Sequence, residues 1–569
     1  MPPIRHGKQR PAGQRIKLGD VVSFTHHDET TYGVVTSLVG GEVHVQHLVS
    51  TAFGPMRAHR RCSTPDSVKL TTLPSPKWVK EDGCLRHPLP GCDSCHHRDL
   101  RRRQRQLIFL DDGNAVKYRG EVYHIGELVF RRSETKGEPW AVGIVKNFKK
   151  DGIVVQVCRR MKGGFELCIT PSRRTWLYVE LRGKGVINLP THLSLSYPCF
   201  KLEHRQREDG AIIPLQRPKG PCECIFAEAR RTTALKELRP PAVGLYAGGG
   251  GSALGLSEHF ELKLAVDTED SCVQTLRANF PATRVLQREV GSLTAADIGE
   301  VSLLVAGPPC QAFTRANHNR KVDARGHEPA RLLRLISQTL PQLVLIENVP
   351  GIKDRCGSDD VAWNAAEDVV RSLLGLGYQV RWAVLDAASY GAPQYRKRLF
   401  VLGAMTGTPL PRFPEPTHAN ARPASTIFLG EVFSSHDGTG AFPPVTAEQA
   451  VGDLPAWEYK LGGVYDPLKT EVGMRRCDVG PPRSRYAERL QRPDRRAREH
   501  LTVGCSADDY ERQLSLLERR RFQGFPDGYK LKGPLEAREQ MVGNAMHVGL
   551  VAAIARQIKQ DAFAGFIAD

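Results

Sequence analysis

YAGGGGSALGL, Tyr246 to Leu256, decides how the second half of this chain folds. It continues the apolar run AVGLYA and reads as a strand end, a glycine-rich turn and the start of a helix. Such a turn lets a cofactor lie close to the backbone at a helix N-terminus, although a simple tight turn has the same composition. Working outward, further apolar runs follow: LKLAVD, VSLLVAG, LVLIENV, VRWAVLD and RLFVLG. Between two of them Val361, Ala365, Val369 and Leu373 repeat every four residues, and Gly375 and Gly377 close that helix. Strands alternating with helices predict a parallel, doubly wound α/β sheet from residue 240 onward. Over residues 404–511 the pattern lapses into sequence rich in Pro, Gly, Ser and Arg. It returns in LSLLERRRFQGFP and VGNAMHVGLVAAIARQI. An insert near the end of an α/β domain is a natural place for substrate recognition.

Upstream the texture is all-β. GDVVSF…TYGVVTSLVGGEVHVQHLV (Gly19–Val49) and VYHIGELVFRR…WAVGIVKNFKKDGIVVQVCRR (Val122–Arg160) are short β-branched and aromatic runs broken by Gly and Asp. Both suit small twisted barrels, and their shared pattern hints at a duplicated module. The basic run RDLRRRQRQ (Arg98–Gln106) between them reads as an exposed face or linker. The expected units are therefore residues 1–110, 111–225 and 240–569. With 80 Lys and Arg against 62 Asp and Glu, the chain carries a formal charge of +18. That surplus favours a polyanionic partner, nucleic acid first, with a merely solvated basic surface as the plain alternative. No run of about 18 apolar residues reads as a membrane span. The start MPPIRHGKQRPAGQR has no apolar stretch behind its basic residues, so it does not read as a secretory signal. The 14 cysteines are accordingly expected to be reduced rather than paired.

GPPCQAFT, Gly307 to Thr314, places Cys310 just after a strand, where it is either an inert structural thiol or a nucleophile. Its company favours the second. YAGGGG, PPCQ (Pro308–Gln311), IENVPG with Glu347 to Val349, QYRKR (Gln394–Arg398), FQGFPDGY (Phe522–Tyr529) and QMVGNA (Gln540–Ala545) follow in order. This succession closely resembles the DNA cytosine-5 methyltransferases over residues 242–403 and 512–560. The insert begins RFPEPTHA and contains DLP at Asp453 to Pro455, pieces similar to eukaryotic, including fungal, members.

The resemblance implies a Rossmann-like methyltransferase domain with a target-recognition insert at 404–511, S-adenosylmethionine as methyl donor and double-stranded DNA as substrate. Position five of cytosine is a poor nucleophile until a thiolate adds to carbon six, the part implied for Cys310. Glu347 would protonate or hydrogen-bond ring nitrogen three, which needs a raised pKa. Arg396 and Arg398, two apart on a strand, would point the same way, with Arg398 the better match for the contact to the base carbonyl. Asn348 would order the nucleophile loop. Tyr246 would pack on the adenine or ribose, and Gly248 and Gly250 would admit the methionine part. Asp267 would bind the ribose hydroxyls, with Thr268 where a bulkier stacking residue is common, and Glu289 would read the adenine amino group. Asn544 and Ala545 would close the site. A base inside a duplex would have to be flipped out. RANHNRKVDARGHE (Arg315–Glu328), with four Arg or Lys, would lie over the DNA. Residues 474–500, with nine Arg against four acids, would contact phosphates.

The chain departs from the family pattern at GNAMHVGL, where many relatives have prolines. Further departures are Leu517, Gly244 and Tyr246, the last standing for Phe. The β segments resemble bromo-adjacent homology (BAH) domains, which implies histone tails or chromatin proteins as partners and a nuclear location. In CLRHPLPGCDSCHH, Cys84, Cys92, Cys95 and His97 would suit a closed tetrahedral zinc site. Two alternatives stand beside the DNA-methylating reading. One is a catalytically silent chromatin-binding paralogue. The other is the tRNA-methylating branch, whose Cys-Phe-Thr signature does not occur here.

Overall fold

A computed structural model describes residues 107–110, 113–118, 121–135, 137–161, 164–188, 198–216, 238–309, 328–353, 365–422, 440–455, 478–494 and 514–563. It also gives the backbone of strands at Val21–His26, Glu29–Val39, Glu42–Val49, Arg57–Cys62 and Val68–Leu70. Four more such strands lie at Ser425–Phe428, Glu431–Ser434, Glu471–Asp478 and Arg496–Val503.

The α/β unit is built on seven strands: β1 (Pro241–Leu245), β2 (Glu261–Asp267), β3 (Arg284–Gln287), β4 (Leu303–Ala306), β5 (Leu343–Asn348), β6 (Tyr378–Asp386) and β7 (Lys397–Met405). Their order across the sheet is β3-β2-β1-β4-β5-β7-β6. The pairings from β3 to β5 are parallel, but β7 runs antiparallel to both β5 and β6. The sheet is therefore mixed, which corrects the parallel sheet that the strand–helix alternation predicts. The hairpin from β6 into β7 needs no crossover helix, so the last strand simply turns back.

Side chains alternate across the strands and feed two cores. Val243, Leu245, Leu304, Val344, Ile346, Trp382 and Val401 face α3 (Glu328–Thr339) and α4 (Ala365–Gly375). Ala242, Leu303, Val305, Leu345, Phe400 and Leu402 face α1 (Gly251–Ser257) and the C-terminal α7 (Val548–Phe563). The four-residue repeat expected for α4 holds at Ala365, Val369 and Leu373, which are buried. Gly377 ends that helix region at φ +92°, a conformation that costs other residues about 1–2 kcal/mol.

Upstream, Val21–His26 to Val68–Leu70 form a five-stranded antiparallel sheet. Seven strands, from Leu128–Arg131 to Ile212–Pro214, form a sheet in which Cys199–Gln206 also pairs with Glu166–Leu177, closing the sheet on itself. This closed sheet rests against the segment that follows β7. The Trp140 N–H donates to Gly440 O (2.5 Å). Phe442 lies 4.6 Å from Phe165 and 5.1 Å from Phe200, and the Arg485 guanidinium stacks 4.5 Å over Phe165. Among the described residues, no helix is long and apolar enough to cross a membrane.

Candidate active site

The order of strands reverses between β1 and β4, so the crevice outside their carboxyl ends is the expected ligand site. The glycine loop between β1 and α1 lines one side. Gly248 and Gly250 hold φ of +54° and +85°, and Tyr246 itself sits at +53°, unusual for a bulky side chain. From behind, the loop is tightly packed. A Cβ on Gly249 would lie 2.8 Å from Met541 Cβ, and one on Gly251 2.6 Å from Met546 O. At Gly250 it would collide with the Tyr529 hydroxyl, which donates to Gly249 O (2.8 Å). On the other side, a Cβ on Gly248 would meet nothing within 4 Å. The glycines thus let the C-terminal segment press on the loop while leaving its front open.

Asp267, at the end of β2, accepts the Gly248 N–H at Oδ2 (2.8 Å) and the Glu269 N–H at Oδ1 (3.0 Å). Burial, with the Asp267 charge beside it, pushes the Cys272 thiol well above its usual range, and this thiol also hydrogen-bonds to that carboxylate. Asp267 is held in place with lone pairs to spare for a ligand hydroxyl. Thr268 is exposed beside it. Glu289 follows β3, is 71% exposed and lies 3.8 Å from Arg331. Ala545 packs on Gly251, with Asn544 exposed next to it at the end of α6 (Leu535–Asn544).

The second group of residues lies across the crevice. β7 is reversed, so its start meets the carboxyl end of β5: Asn348 faces Leu399 across the ladder. This brings Arg398 Nε to Glu347 Oε1 at 2.9 Å, with side chains 19% and 12% exposed. Burial raises the Glu347 pKa, although the charges of Arg398 and Arg396 pull it down. Loss of water outweighs the ion pair, so the carboxyl holds a proton more readily than an ordinary glutamate. Asn348, 3% exposed, donates from Nδ2 to Pro308 O (3.2 Å), which fixes the backbone two residues before Cys310. A Cβ on Gly307 would lie 3.5 Å from Glu347 Oε2, so this backbone passes directly over the carboxyl.

The two arginines expected to act side by side diverge. Arg398 meets Glu347, whereas Arg396 precedes the strand proper and donates to Gly543 O (2.9 Å) and Ala545 O (2.8 Å). Its backbone N–H is taken by the buried Asp386 (2.9 Å). Arg396 thereby ties the segment at Gly543 and Ala545, which packs behind the glycine loop, to the sheet beside Glu347. Cys310 and Gln311, and the zinc candidates Cys84, Cys92, Cys95 and His97, lie outside the described residues. Among the described residues, no group of three or more His, Cys, Asp or Glu could hold a metal.

Three contributors escape a reading of the sequence. Tyr529 and Met541 brace the glycine loop, and Glu328 accepts the Tyr246 hydroxyl (2.8 Å). The one local signal was Tyr246, whose hydroxyl needs a partner once buried.

A sheet with one reversed strand, opening its switch point between a glycine loop and a buried acid, is an α/β methyltransferase fold. The profile of the C-5 cytosine-specific DNA methylases matches residues 242–560, and the chain belongs to that family. Among its relatives, the type II methyltransferase M.AquIA of Picosynechococcus is 31% identical over 227 residues, 37% of this chain and 91% of that one. DNA (cytosine-5)-methyltransferase 3 of Arabidopsis thaliana is 27% identical over 363 residues, 51% of this chain and 25% of its own. The type II methyltransferase M1.HphI of Haemophilus parahaemolyticus is 27% identical over 335 residues, 56% and 86% of the two chains. S-adenosylmethionine is the methyl donor of this family.

Proposed function

We propose that this chain methylates carbon 5 of cytosine in double-stranded DNA through a covalent adduct at Cys310, on a base turned out of the duplex. The observation that carries the reading is Glu347: a buried carboxyl of raised pKa, 2.9 Å from Arg398 and directly below the backbone that leads to Cys310. A neutral carboxyl there donates to ring nitrogen three while Arg398 holds the ring carbonyl. Together they stabilise the ring as the Cys310 thiolate bonds to carbon six and carbon five becomes electron-rich. Once carbon five carries the methyl, removal of its proton re-forms the ring double bond, breaks the carbon–sulfur bond and returns the thiolate. Asn348 sets the entry of the nucleophile loop through Pro308.

The open front of Gly248, the anchored carboxylate of Asp267 and the exposed Glu289 fit S-adenosylmethionine. They would hold its methionine part, ribose and adenine respectively. When bound, that group supplies the methyl. The basic residues 474–500 would take the DNA phosphates, and the upstream β units would act as BAH modules on histone tails, placing the protein on chromatin in the nucleus. Their β texture and their position ahead of the catalytic unit support this part.

The test is DNA carrying 5-fluorocytosine, in which proton loss from position five is blocked. A stable protein–DNA adduct is expected from the wild type and none from Cys310→Ser, which retains S-adenosylhomocysteine binding. Active enzyme that forms no adduct would overturn the thiolate route.

A further inference from the structure

The Tyr246 hydroxyl donates to Glu328 Oε2 (2.8 Å), and the other oxygen of Glu328 accepts from Arg331 NH1 (2.6 Å). That same nitrogen lies 3.8 Å from Glu289. Glu328 is the first residue of α3 and its side chain is only 14% exposed, whereas Arg331 and Glu289 are 49% and 71% exposed. Of these groups it is the shielded one, joining the residue after β1 to the acid after β3. A cavity of about 260 Å³, lined by Glu289, Gly291, Ser292, Arg331 and Arg334, opens beside the chain of contacts.

Two features show that the network governs the ring of Tyr246 rather than decorating it. Tyr246 sits at φ +53°, a backbone conformation that a bulky residue keeps only when its surroundings hold it there. Its hydroxyl is partly buried, and without the carboxylate at 2.8 Å it would keep only the long 3.5 Å contact to the Glu328 main-chain oxygen, a poor return for a desolvated donor. Burial and the neighbouring Glu328 both keep that hydroxyl protonated, so it remains a donor. We propose that Glu328 is a cofactor-positioning residue: it clamps Tyr246 and Arg331 so that the adenosine end of the methyl donor meets a polar, preset wall. This rests on the methyl-donor reading above. It also gives the tyrosine at position 246 a physical reason, since a phenylalanine ring would leave the Glu328 carboxylate without one of its donors.

Calorimetric titration of the full chain with S-adenosylhomocysteine tests the idea, with melting of each unliganded variant as a check on folding. Glu328→Ala is expected to weaken binding about tenfold, the scale of losing a hydrogen bond to a charged group. Tyr246→Phe should weaken it similarly. The double variant should bind no worse than Glu328→Ala, because the two residues act as one unit. Glu328→Gln, which still accepts from the hydroxyl and loses only the half-exposed ion pair, should restore most of the affinity. Binding unchanged in Glu328→Ala, or single effects that multiply in the double variant, would overturn the proposal while leaving the methyl donor in place. A wild-type chain that does not bind S-adenosylhomocysteine would overturn both.

Discussion

Replacing Arg521 with methionine strips a buried charge network of its only cation among the described residues that form it. Arg521, in α5 (Leu516–Phe522), grips Asp527 with two parallel bonds, Nε to Oδ1 (2.9 Å) and NH2 to Oδ2 (2.8 Å). Its NH1 donates to Asp453 Oδ1 (2.6 Å) and to Ala450 O (3.0 Å). The side chains of Arg521, Asp453 and Asp527 are 0%, 0% and 1% exposed. Water cannot take over when the guanidinium is removed, so two carboxylates are left charged in a dry interior. Breaking a buried pair in this way costs about 3–5 kcal/mol. With an unfolding entropy of about 2.1 cal/mol/K per residue over the roughly 320 residues of the α/β unit, that loss lowers Tm by about 4–7 °C. Thermal melts of the full chain at neutral pH read this directly. Adding Asp453→Asn and Asp527→Asn to Arg521→Met removes the stranded charges and should recover part of the loss. An Arg521→Met chain that melts with the wild type, or a triple variant less stable than the single one, refutes the reasoning.

Burial holds His418 and His547 neutral, with pKa values lowered to about 3. The unfolded chain takes up a proton at each below about pH 6.5, so stability is full above that pH and falls as pH drops beneath it. The loss reaches about 1.4 kcal/mol per pH unit for each histidine. Urea midpoints followed from neutral to mildly acidic pH should show this slope, and the double variant His418→Gln/His547→Gln should flatten it; a wild-type midpoint that holds steady refutes it. Glu347→Gln should lower kcat by about 10²–10⁴-fold. In the proposed reaction the carboxyl acts in its protonated form, so the wild-type rate should fall as pH rises through the raised pKa of Glu347. Methylation rates measured against pH should lose that limb in the glutamine variant; an identical profile in both would remove Glu347 from the acid role.

Features carried by short stretches were open to a reader of the sequence. The glycine loop, the acid closing β2 and the pairing of an acid with Asn348 at the end of β5 each depend on neighbours within a few residues. The helix at Ala365–Gly375 shows in its own periodicity. Features that depend on strand direction were not open in the same way. Nothing in RLFVLG says that β7 runs backwards, yet that reversal is what sets Arg398 against Glu347. Arg396 illustrates the converse: its spacing from Arg398 suggests a shared target, and its partners are carbonyls 147 and 149 residues further along the chain.

By itself the sequence determined the α/β class and the family, and it offered a thiol, an acid and a glycine turn as the candidate site, because these are chemical types printed in the chain. Only the tertiary structure decided which groups share a partner. Glu328 and Tyr246 are 82 positions apart, and Arg521 and Asp453 are 68 apart. Contacts of that kind form where packing excludes water and makes each polar group find a partner. The outcome depends on how the sheet and its helices close together, which no local pattern of residues records.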